Sequence, residues 1–172
     1  MDNYLHKPIA VIGAGSIGER YIRLLYNLGF NNIVVYRRSE KPFKSIGEAK
    51  VKVVYTFEEL LAESIVCAII ATPTYLHLEQ SVFFAEKGIH ILVEKPLSNT
   101  MEGIQLLKNI VKKNNVFILV GYMMRFHPLI CDLKEIISNE YYGKLISIQS
   151  KWAEFLPDWH PWEDYRISYA SN

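Results

Sequence analysis

The sequence has little net charge, few cysteines and no long uncharged apolar run. Its 172 residues carry 19 lysine and arginine side chains against 18 acidic ones, a formal net charge of +1. This balance lacks the basic surface that is typical of nucleic-acid-binding domains, so we expect no nucleic-acid partner. Because 50% of the residues are hydrophobic and only 22% are charged, intrinsic disorder is excluded as well.

Other absences argue against a membrane or secreted protein. The longest uncharged run, residues 64–78, is interrupted by Pro73 and is shorter than the roughly 18 apolar residues of a spanning helix. Residues 1–8 lack the basic start and apolar stretch of a secretory signal. Cys67 and Cys131 lie far apart, each in an apolar segment. This usage predicts two buried structural thiols in a cytoplasmic protein.

Short apolar runs rich in valine and isoleucine alternate with helical patterns along most of the chain. This alternation predicts an α/β fold, a doubly wound parallel Rossmann sheet with helices on both faces. Strands are expected at residues 8–12, 33–36, 51–55, 66–71, 89–93 and 117–120. Helices are expected at residues 17–28, 57–62 with Thr56 as cap, 74–87, and from 99 or 100 to 113.

The pattern changes after residue 120. Residues 127–138 predict an amphipathic helix, and residues 145–152 alternate apolar and polar side chains like a strand of an antiparallel sheet. We therefore expect a complete Rossmann domain over residues 1–123. Residues 124–172 would form the beginning of a second, incomplete α/β domain.

A glycine-rich run follows the first predicted strand and opens the first helix. It reads Gly-Ala-Gly-Ser-Ile-Gly, and in this context it is a candidate dinucleotide site. Gly13 permits the tight turn, Gly15 lets the backbone approach a pyrophosphate, and Gly18 allows close packing of helix and strand. The helix N-terminus, at Ser16 and Ile17, offers unpaired N–H groups to the phosphates. A purely structural turn and a methyltransferase site for an adenosyl cofactor are the alternatives.

Two arginines stand where the second predicted strand ends, in the sequence Tyr36-Arg37-Arg38. An acidic residue at this place binds the ribose hydroxyls of NAD. A guanidinium pair can instead bind the 2′-phosphate of NADP, while a ring or an arginine plane covers the adenine. We therefore expect NADP as the cofactor, with NAD as the second choice. The alternative is that both arginines are solvated surface charges.

Two more loops follow the fourth and fifth predicted strands, and both face the ligand crevice of such a sheet. The first contains Thr72, Pro73 and His77, and the second begins with Glu94-Lys95. A charged pair directly after a buried strand is unusual, because plain turns favour Gly, Asn or Asp. Glu94 and Lys95 are therefore candidate functional residues, with a surface ion pair as the alternative.

These segments, in this order and spacing, resemble the Gfo/Idh/MocA family of NAD(P)-dependent oxidoreductases, which act mainly on sugars, polyols and related compounds. The resemblance covers the whole chain. It rests on the glycine run, the Thr72-Pro73 loop with His77, the sequence Glu94-Lys95-Pro96, and residues 121–128, which read Gly-Tyr-Met-Met-Arg-Phe-His-Pro.

The resemblance implies roles for particular residues. Lys95 would be the catalytic residue that reaches the substrate hydroxyl and the nicotinamide, while Thr72, Pro73 and Glu94 would border the cofactor. The peptide bond before Pro96 is expected to be cis.

Further candidates have weaker support in the sequence. Arg125 matches a family arginine near the active site that would meet cofactor and substrate, with a hinge salt bridge as the alternative. Tyr122 is a candidate substrate residue on the same segment. His77 is a candidate cofactor residue, although packing at the start of a helix explains it better.

The last part of the chain is aromatic and acidic. It resembles the substrate-facing segment of family members linked to surface-polysaccharide and nucleotide-sugar metabolism, which makes Trp159, His160 and Tyr165 candidate sugar-binding residues. The spacing of His160 and the neighbouring acids matches no familiar metal site, so no metal is expected.

The family places an Asp-x-x-x-His pair in its second domain, where the histidine is the acid/base partner of the lysine, and residues 124–172 contain no such pair. His127 and His160 do not match it, because Met123 and Leu156 stand four residues before them. General acid–base catalysis needs a titrating group within reach of the substrate. The expected function is hydride transfer between a nicotinamide and a sugar, polyol or nucleotide sugar. The alternative is a truncated nucleotide-binding module without turnover.

The expected strand at residues 145–152 would lack neighbouring strands and leave an apolar edge exposed. We therefore expect either that copies of the chain associate as a homo-oligomer that acts on a small-molecule substrate, or that the chain is disordered beyond about Tyr142.

Overall fold

The computed structural model describes residues 5–155 together with Asp158, Asp164 and Arg166. It divides into two compact units, residues 1–123 and residues 124–172. The first unit contains a six-stranded sheet. Its strands are β1 (Ile9–Ile12), β2 (Ile33–Tyr36), β3 (Lys52–Val54), β4 (Cys67–Ile70), β5 (His90–Val93) and β6 (Ile118–Val120).

All strand pairs are parallel, in the order β3-β2-β1-β4-β5-β6. Each strand lies within its expected range, so the predicted α/β fold with six parallel strands is confirmed. The chain builds outward from β1 to β3 and then returns to add β4 on the other side of β1. This reversal is the topological switch point at which doubly wound sheets bind their ligands.

Five α-helices are present in the described residues: α1 (Ser16–Asn27), α2 (Phe57–Ala62), α3 (His77–Glu86), α4 (Ile104–Lys113) and α5 (Pro128–Ser138). Short 3₁₀ helices cover Thr74–Leu76 and Met123–Phe126. The cap predicted for α2 is confirmed, because the Thr56 hydroxyl accepts from the N–H of Glu59 at 3.1 Å. The Glu59 carboxylate in turn accepts from the N–H of Thr56 at 3.3 Å, which completes a capping box. None of the helices in this part of the chain is long and apolar enough to cross a membrane.

The predicted start of α4 at residue 99 or 100 is wrong. The helix begins at Ile104, after Gly103 with a φ of 81°. A residue in this left-handed conformation cannot continue a right-handed helix, so the helical pattern of the preceding residues is not realised. The first turn of the predicted helix 74–87 is likewise a 3₁₀ helix rather than α-helix.

Two expectations for the second unit are also wrong. Residues 145–155 form no strand, and the second unit has no strand among its described residues with which they could pair. Cys131 is exposed rather than buried, since α5 has no buried residue and no described element of its unit covers it. Cys67 is partly buried in β4, and burial raises the pKa of its thiol to about 11.

The sheet separates two apolar layers, because successive strand residues point to opposite faces. One layer joins the sheet to α2, α3 and α4 through Leu60, Phe84 and Leu107. The other joins it to α1 through Ile22 and Leu25. The central strands are buried on both faces, which explains why they read as continuous runs of valine and isoleucine.

Candidate functional site

The residues that directly follow the strands are aligned along one edge of the sheet by backbone hydrogen bonds. The N–H of Gly13 donates to the carbonyl of Tyr36 at 2.9 Å, and the N–H of Ala71 donates to Ile12 at 2.9 Å. The N–H of Glu94 continues the ladder to Ile70 at 2.9 Å. The loops that carry the candidate residues of the first unit therefore lie side by side at the carboxyl edge, about 4.8 Å apart per strand.

The glycine loop lies at the switch point, where it packs tightly on itself. A Cβ built on Gly18 would lie 1.9 Å from the carbonyl oxygen of Gly13. Gly13 has a φ of 94°, and a Cβ there would lie 2.9 Å from the carbonyl oxygen of Ala71. Backbone atoms in both places exclude any side chain, so these two glycines are required by the fold itself.

Gly15 differs from the other two glycines. No described atom lies within 4 Å of the place its Cβ would take, and its φ of −77° suits any residue. The first helical bond of α1 runs from the N–H of Glu19 to the carbonyl of Gly15 at 2.9 Å. The N–H groups of Ser16, Ile17 and Gly18 therefore have no partner within the helix. An open cradle with free N–H groups fits the pyrophosphate of a dinucleotide.

The two arginines at the end of β2 are not equivalent, contrary to the expectation of a guanidinium pair. Arg37 is only 8% exposed, its guanidinium lies 4.6 Å from the ring centroid of Phe43, and its Nε donates to the carbonyl of Ser39. Arg38 is exposed. Because the Arg37 side chain is committed to the protein, Arg38 is the arginine that remains available for a ligand at this position.

The segment after β2 is held by α1. The buried carboxylate of Glu19 accepts from the N–H of Lys44 at 2.9 Å and from the N–H and hydroxyl of Ser45 at 2.6 and 3.0 Å. Burial raises the pKa of Glu19, but these hydrogen bonds and the charge of Arg23 outweigh it, so its pKa lies below the ordinary value. Glu19 thus fixes the loop that carries the arginines.

The loop after β4 exposes Pro73 and leaves Thr72 half-buried. The Thr72 hydroxyl donates to the side-chain oxygen of Gln80 at 2.7 Å. His77 is 1% exposed, with Nε2 2.7 Å from the carbonyl oxygen of Thr72 and Nδ1 2.8 Å from that of Pro96. Both ring nitrogens of His77 are engaged with the backbone. This burial and these contacts favour the alternative role of His77 in packing at the start of the helix, and direct binding of the cofactor by His77 stays a prediction.

Glu94 and Lys95 do not form the surface ion pair that was the alternative for them. The Glu94 carboxylate accepts from the Tyr21 hydroxyl at 2.7 Å and from the backbone N–H of Lys95 at 3.2 Å. The Lys95 side chain is exposed, and its amine forms no hydrogen bond or ion pair within the described part of the chain. The Lys95–Pro96 peptide bond is cis, as the resemblance implied.

The remaining candidates are less defined. Tyr122 is exposed just after β6, in the first unit. Arg125 is exposed in the second unit, where its carbonyl accepts from the Cys131 thiol at 3.6 Å. Trp159, His160 and Tyr165 lie outside the described residues.

Sequence reasoning missed Tyr21 and Glu19 as parts of the site. Both lie in α1 directly after the glycine loop, so their position near the crevice could have been inferred from the motif. Their partners could not, because Glu94 is 73 residues and Ser45 is 26 residues further along the chain.

Comparisons with known proteins agree with this geometry. A family model described as an oxidoreductase family with an NAD-binding Rossmann fold, GFO_IDH_MocA, matches residues 7–122. Scyllo-inositol 2-dehydrogenase (NAD⁺) of Bacillus subtilis is 38% identical over 90 residues, which are 52% of this chain and 26% of that enzyme. Glucose-6-phosphate 3-dehydrogenase of the same organism is 28% identical over 148 residues, 83% of this chain and 41% of that enzyme.

Solved structures share the fold. The WlbA dehydrogenase of Chromobacterium violaceum, crystallised with NADH and UDP-GlcNAcA, matches with a TM-score of 0.71 at 20% identity, over 80% of this chain and 41% of that one. The chain thus spans about two fifths of the length of its longest-matched relatives. The glycine loop, the sheet order, the loop of Glu94 and Lys95 and the family match lead to one conclusion: the chain belongs to the Gfo/Idh/MocA family of NAD-binding oxidoreductases.

Proposed function

We propose that the chain takes part in hydride transfer between NAD(P) and a hydroxyl or carbonyl carbon of a sugar, polyol or nucleotide sugar. The observation that carries this proposal is the alignment of an open glycine cradle and an exposed lysine along one sheet edge. Gly15 has space for a phosphate and Lys95 has an amine without a protein partner in the described residues.

The cofactor would lie across the switch point with its pyrophosphate at the N–H groups of Ser16, Ile17 and Gly18. Thr72, Pro73 and Glu94 would border it on the side of β4 and β5. When bound, NAD(P) supplies the carbon that accepts or donates the hydride.

Lys95 would act on the substrate oxygen. Its ammonium group can donate a hydrogen bond to a carbonyl oxygen and so stabilise the negative charge that develops there during reduction. In the opposite direction, the amine can receive the proton of a hydroxyl group. Lys95 lies on the β5 loop, about two strand spacings, or roughly 10 Å, from the glycine loop.

We further propose that the chain prefers NADP to NAD. Support comes from Arg38, which is exposed directly after β2, and from the absence of an acidic residue at Tyr36, Arg37 and Arg38. The guanidinium of Arg38 can bind a 2′-phosphate, whereas the guanidinium of Arg37 would stabilise the loop by packing on the ring of Phe43.

The second unit would begin the substrate domain. We propose that Tyr122 and Arg125 contact the substrate, and that Trp159, His160 and Tyr165 contribute to a sugar site in which aromatic rings meet the apolar face of a sugar. Exposed apolar side chains such as Leu129, at 70%, and Ile146, at 97%, support self-association of the chain. Light scattering over a range of protein concentrations would detect the expected homo-oligomer, and a monomer throughout would contradict it.

The activity can be tested with a panel of inositols, hexoses, hexose phosphates and UDP-sugars, each with NAD⁺ or NADP⁺, by absorbance at 340 nm. We expect turnover with at least one compound and a loss of about 100-fold or more in Lys95→Met, the scale of a missing acid/base group. Lys108→Met, an exposed lysine on α4, is the matched control and should retain activity.

Binding of the cofactor without turnover would be a different outcome of this test. If the chain binds NAD(P)H but turns over no compound of the panel, it is a nucleotide-binding module, and the proposed hydride transfer by this chain is wrong.

A further inference from the structure

Lys95, whose amine has no partner among the described residues, lies between two residues that are each held by a side chain from another part of the chain. On one side of Lys95, the Glu94 carboxylate is held by the Tyr21 hydroxyl at 2.7 Å. On the other side, the carbonyl oxygen of Pro96 lies 2.8 Å from Nδ1 of His77. The two anchors come from different helices, α1 and α3, which lie on opposite faces of the sheet.

The hydrogen bond between Tyr21 and Glu94 lies in a confined place beside Gly121. Its ring is half-buried on α1, and a Cβ added at Gly121 would lie 3.5 Å from the Tyr21 hydroxyl and 3.4 Å from Oε1 of Glu94. Burial raises the pKa of Tyr21, and the hydrogen bond to Glu94 and the charge of that carboxylate raise it further. The hydroxyl therefore keeps its proton and remains the donor to Glu94.

The His77 anchor joins two loops. One ring, 1% exposed, bridges the carbonyl of Thr72 after β4 and the carbonyl of Pro96 after β5. Because the ring lies at the start of α3, the helix fixes its position. The two loops that border the nicotinamide half of the proposed site are thereby held at a set distance from each other.

We propose that Tyr21 and His77 are positioning residues for Lys95. They fix the backbone on both sides of it, so that only the side-chain torsions of Lys95 remain free. A lysine loses rotamer freedom when it is ordered, and a fixed backbone removes any further cost of ordering the loop. This inference rests on the proposed function, because it assumes that Lys95 meets the nicotinamide.

The geometry predicts an effect on one half of the cofactor only. A doubly wound sheet has two halves of three strands, and each half binds one mononucleotide of the cofactor. The adenosine lies at the end of β2. Glu94, Lys95 and Pro96 follow β5, in the other half. Loss of an anchor should therefore weaken the binding of NADH and leave the binding of ADP-ribose, which lacks the nicotinamide, unchanged.

Calorimetric titrations of the full 172-residue chain with NADH and with ADP-ribose test this. We expect Tyr21→Phe and His77→Gln to weaken NADH binding about fivefold and to change ADP-ribose binding less than twofold. Tyr26→Phe, an exposed tyrosine on the same helix, is the matched control and should change neither. In a Lys95→Met background, Tyr21→Phe should have no further effect on NADH.

Other results overturn the proposal. Equal losses for both ligands would mean that Tyr21 only supports the fold, and an unchanged NADH affinity would mean that the anchor does not matter. A loss that persists in the Lys95→Met background would show that Tyr21 does not act through Lys95. If His77→Gln does not fold, the Tyr21→Phe result decides alone.

The proposed function fails in a distinguishable way. A wild-type chain that binds neither ligand contradicts the nucleotide site itself. A wild-type chain that binds both ligands equally well keeps the nucleotide site but contradicts the position of Lys95 at the nicotinamide, and with it this inference.

Discussion

The two ends of the candidate site are built in opposite ways. The glycine loop works through side chains that are missing: Gly13 and Gly18 leave room for backbone atoms, and Gly15 leaves room for a ligand. The loop of Lys95 works through side chains that are present, with Tyr21 and His77 holding the residues on either side. A phosphate can be bound by backbone N–H groups alone, whereas proton transfer needs a particular side chain in a fixed place.

The largest expected effect tests whether the glycine loop is required by the fold. Gly18→Ala places a methyl group 1.9 Å from the carbonyl oxygen of Gly13, a contact that only a backbone shift can relieve. We expect a loss of about 3 kcal/mol or more in the free energy of unfolding, at the upper end of overpacking effects. Urea denaturation of the variant measures it, and a stability within about 1 kcal/mol of the wild type would contradict the close packing of Gly18 on Gly13.

The next prediction separates binding from folding at the same loop. Gly15→Ala meets no described atom within 4 Å and needs no unusual φ. We expect its stability to fall by less than about 1 kcal/mol, the scale of an N-cap change, and its NAD(P)H affinity to fall at least tenfold. Binding at wild-type affinity would show that no ligand approaches the backbone at this point.

A third prediction concerns the adenosine end. Arg38→Ala should weaken NADPH binding about fivefold and leave NADH binding unchanged, the scale of one exposed charged contact with a phosphate. Arg37→Ala should instead lower stability, because Arg37 packs on Phe43 and donates to Ser39. Parallel fluorescence titrations with both cofactors are the measurement. An equal effect of Arg38→Ala on NADPH and NADH would remove the basis for an NADP preference.

The smallest expected effect depends on pH. Folding lowers the pKa of Glu19 from its ordinary value of 4.5, so its carboxylate stabilises the folded state above that pH and loses this contribution as the pH falls. Glu19→Gln should cost about 1 kcal/mol at pH 7 and progressively less below pH 4.5. Denaturation curves at about pH 7 and about pH 3.5 measure the difference, and a cost that does not shrink in acid would contradict the assigned hydrogen bonds.

The same contrast explains what the sequence could predict. The six strands were predictable because buried parallel strands leave local apolar runs, and the glycine loop was predictable because its motif lies within six consecutive residues directly after a strand. The anchors of Lys95 were not, because they act over 73 and 19 residues. The burial of Arg37 was not predictable either, because it depends on Phe43, whose position follows from the path of the loop.

The predictions of the start of α4 and of a strand at residues 145–152 were wrong for related reasons. The start of α4 depends on the left-handed backbone of Gly103, which a helical pattern does not reveal. The alternation of residues 145–152 is typical of a strand, but a strand also requires a partner, and pairing is not a local property.

The most direct test of the central claim is a fluorescence titration of the 172-residue chain with NADPH and with NADH, repeated with Gly15→Ala. We predict saturable binding of both cofactors, tighter for NADPH, and at least a tenfold loss for both in the variant. If the folded wild-type chain binds neither cofactor, the carboxyl edge of this sheet is not a dinucleotide site, and the proposed function is wrong.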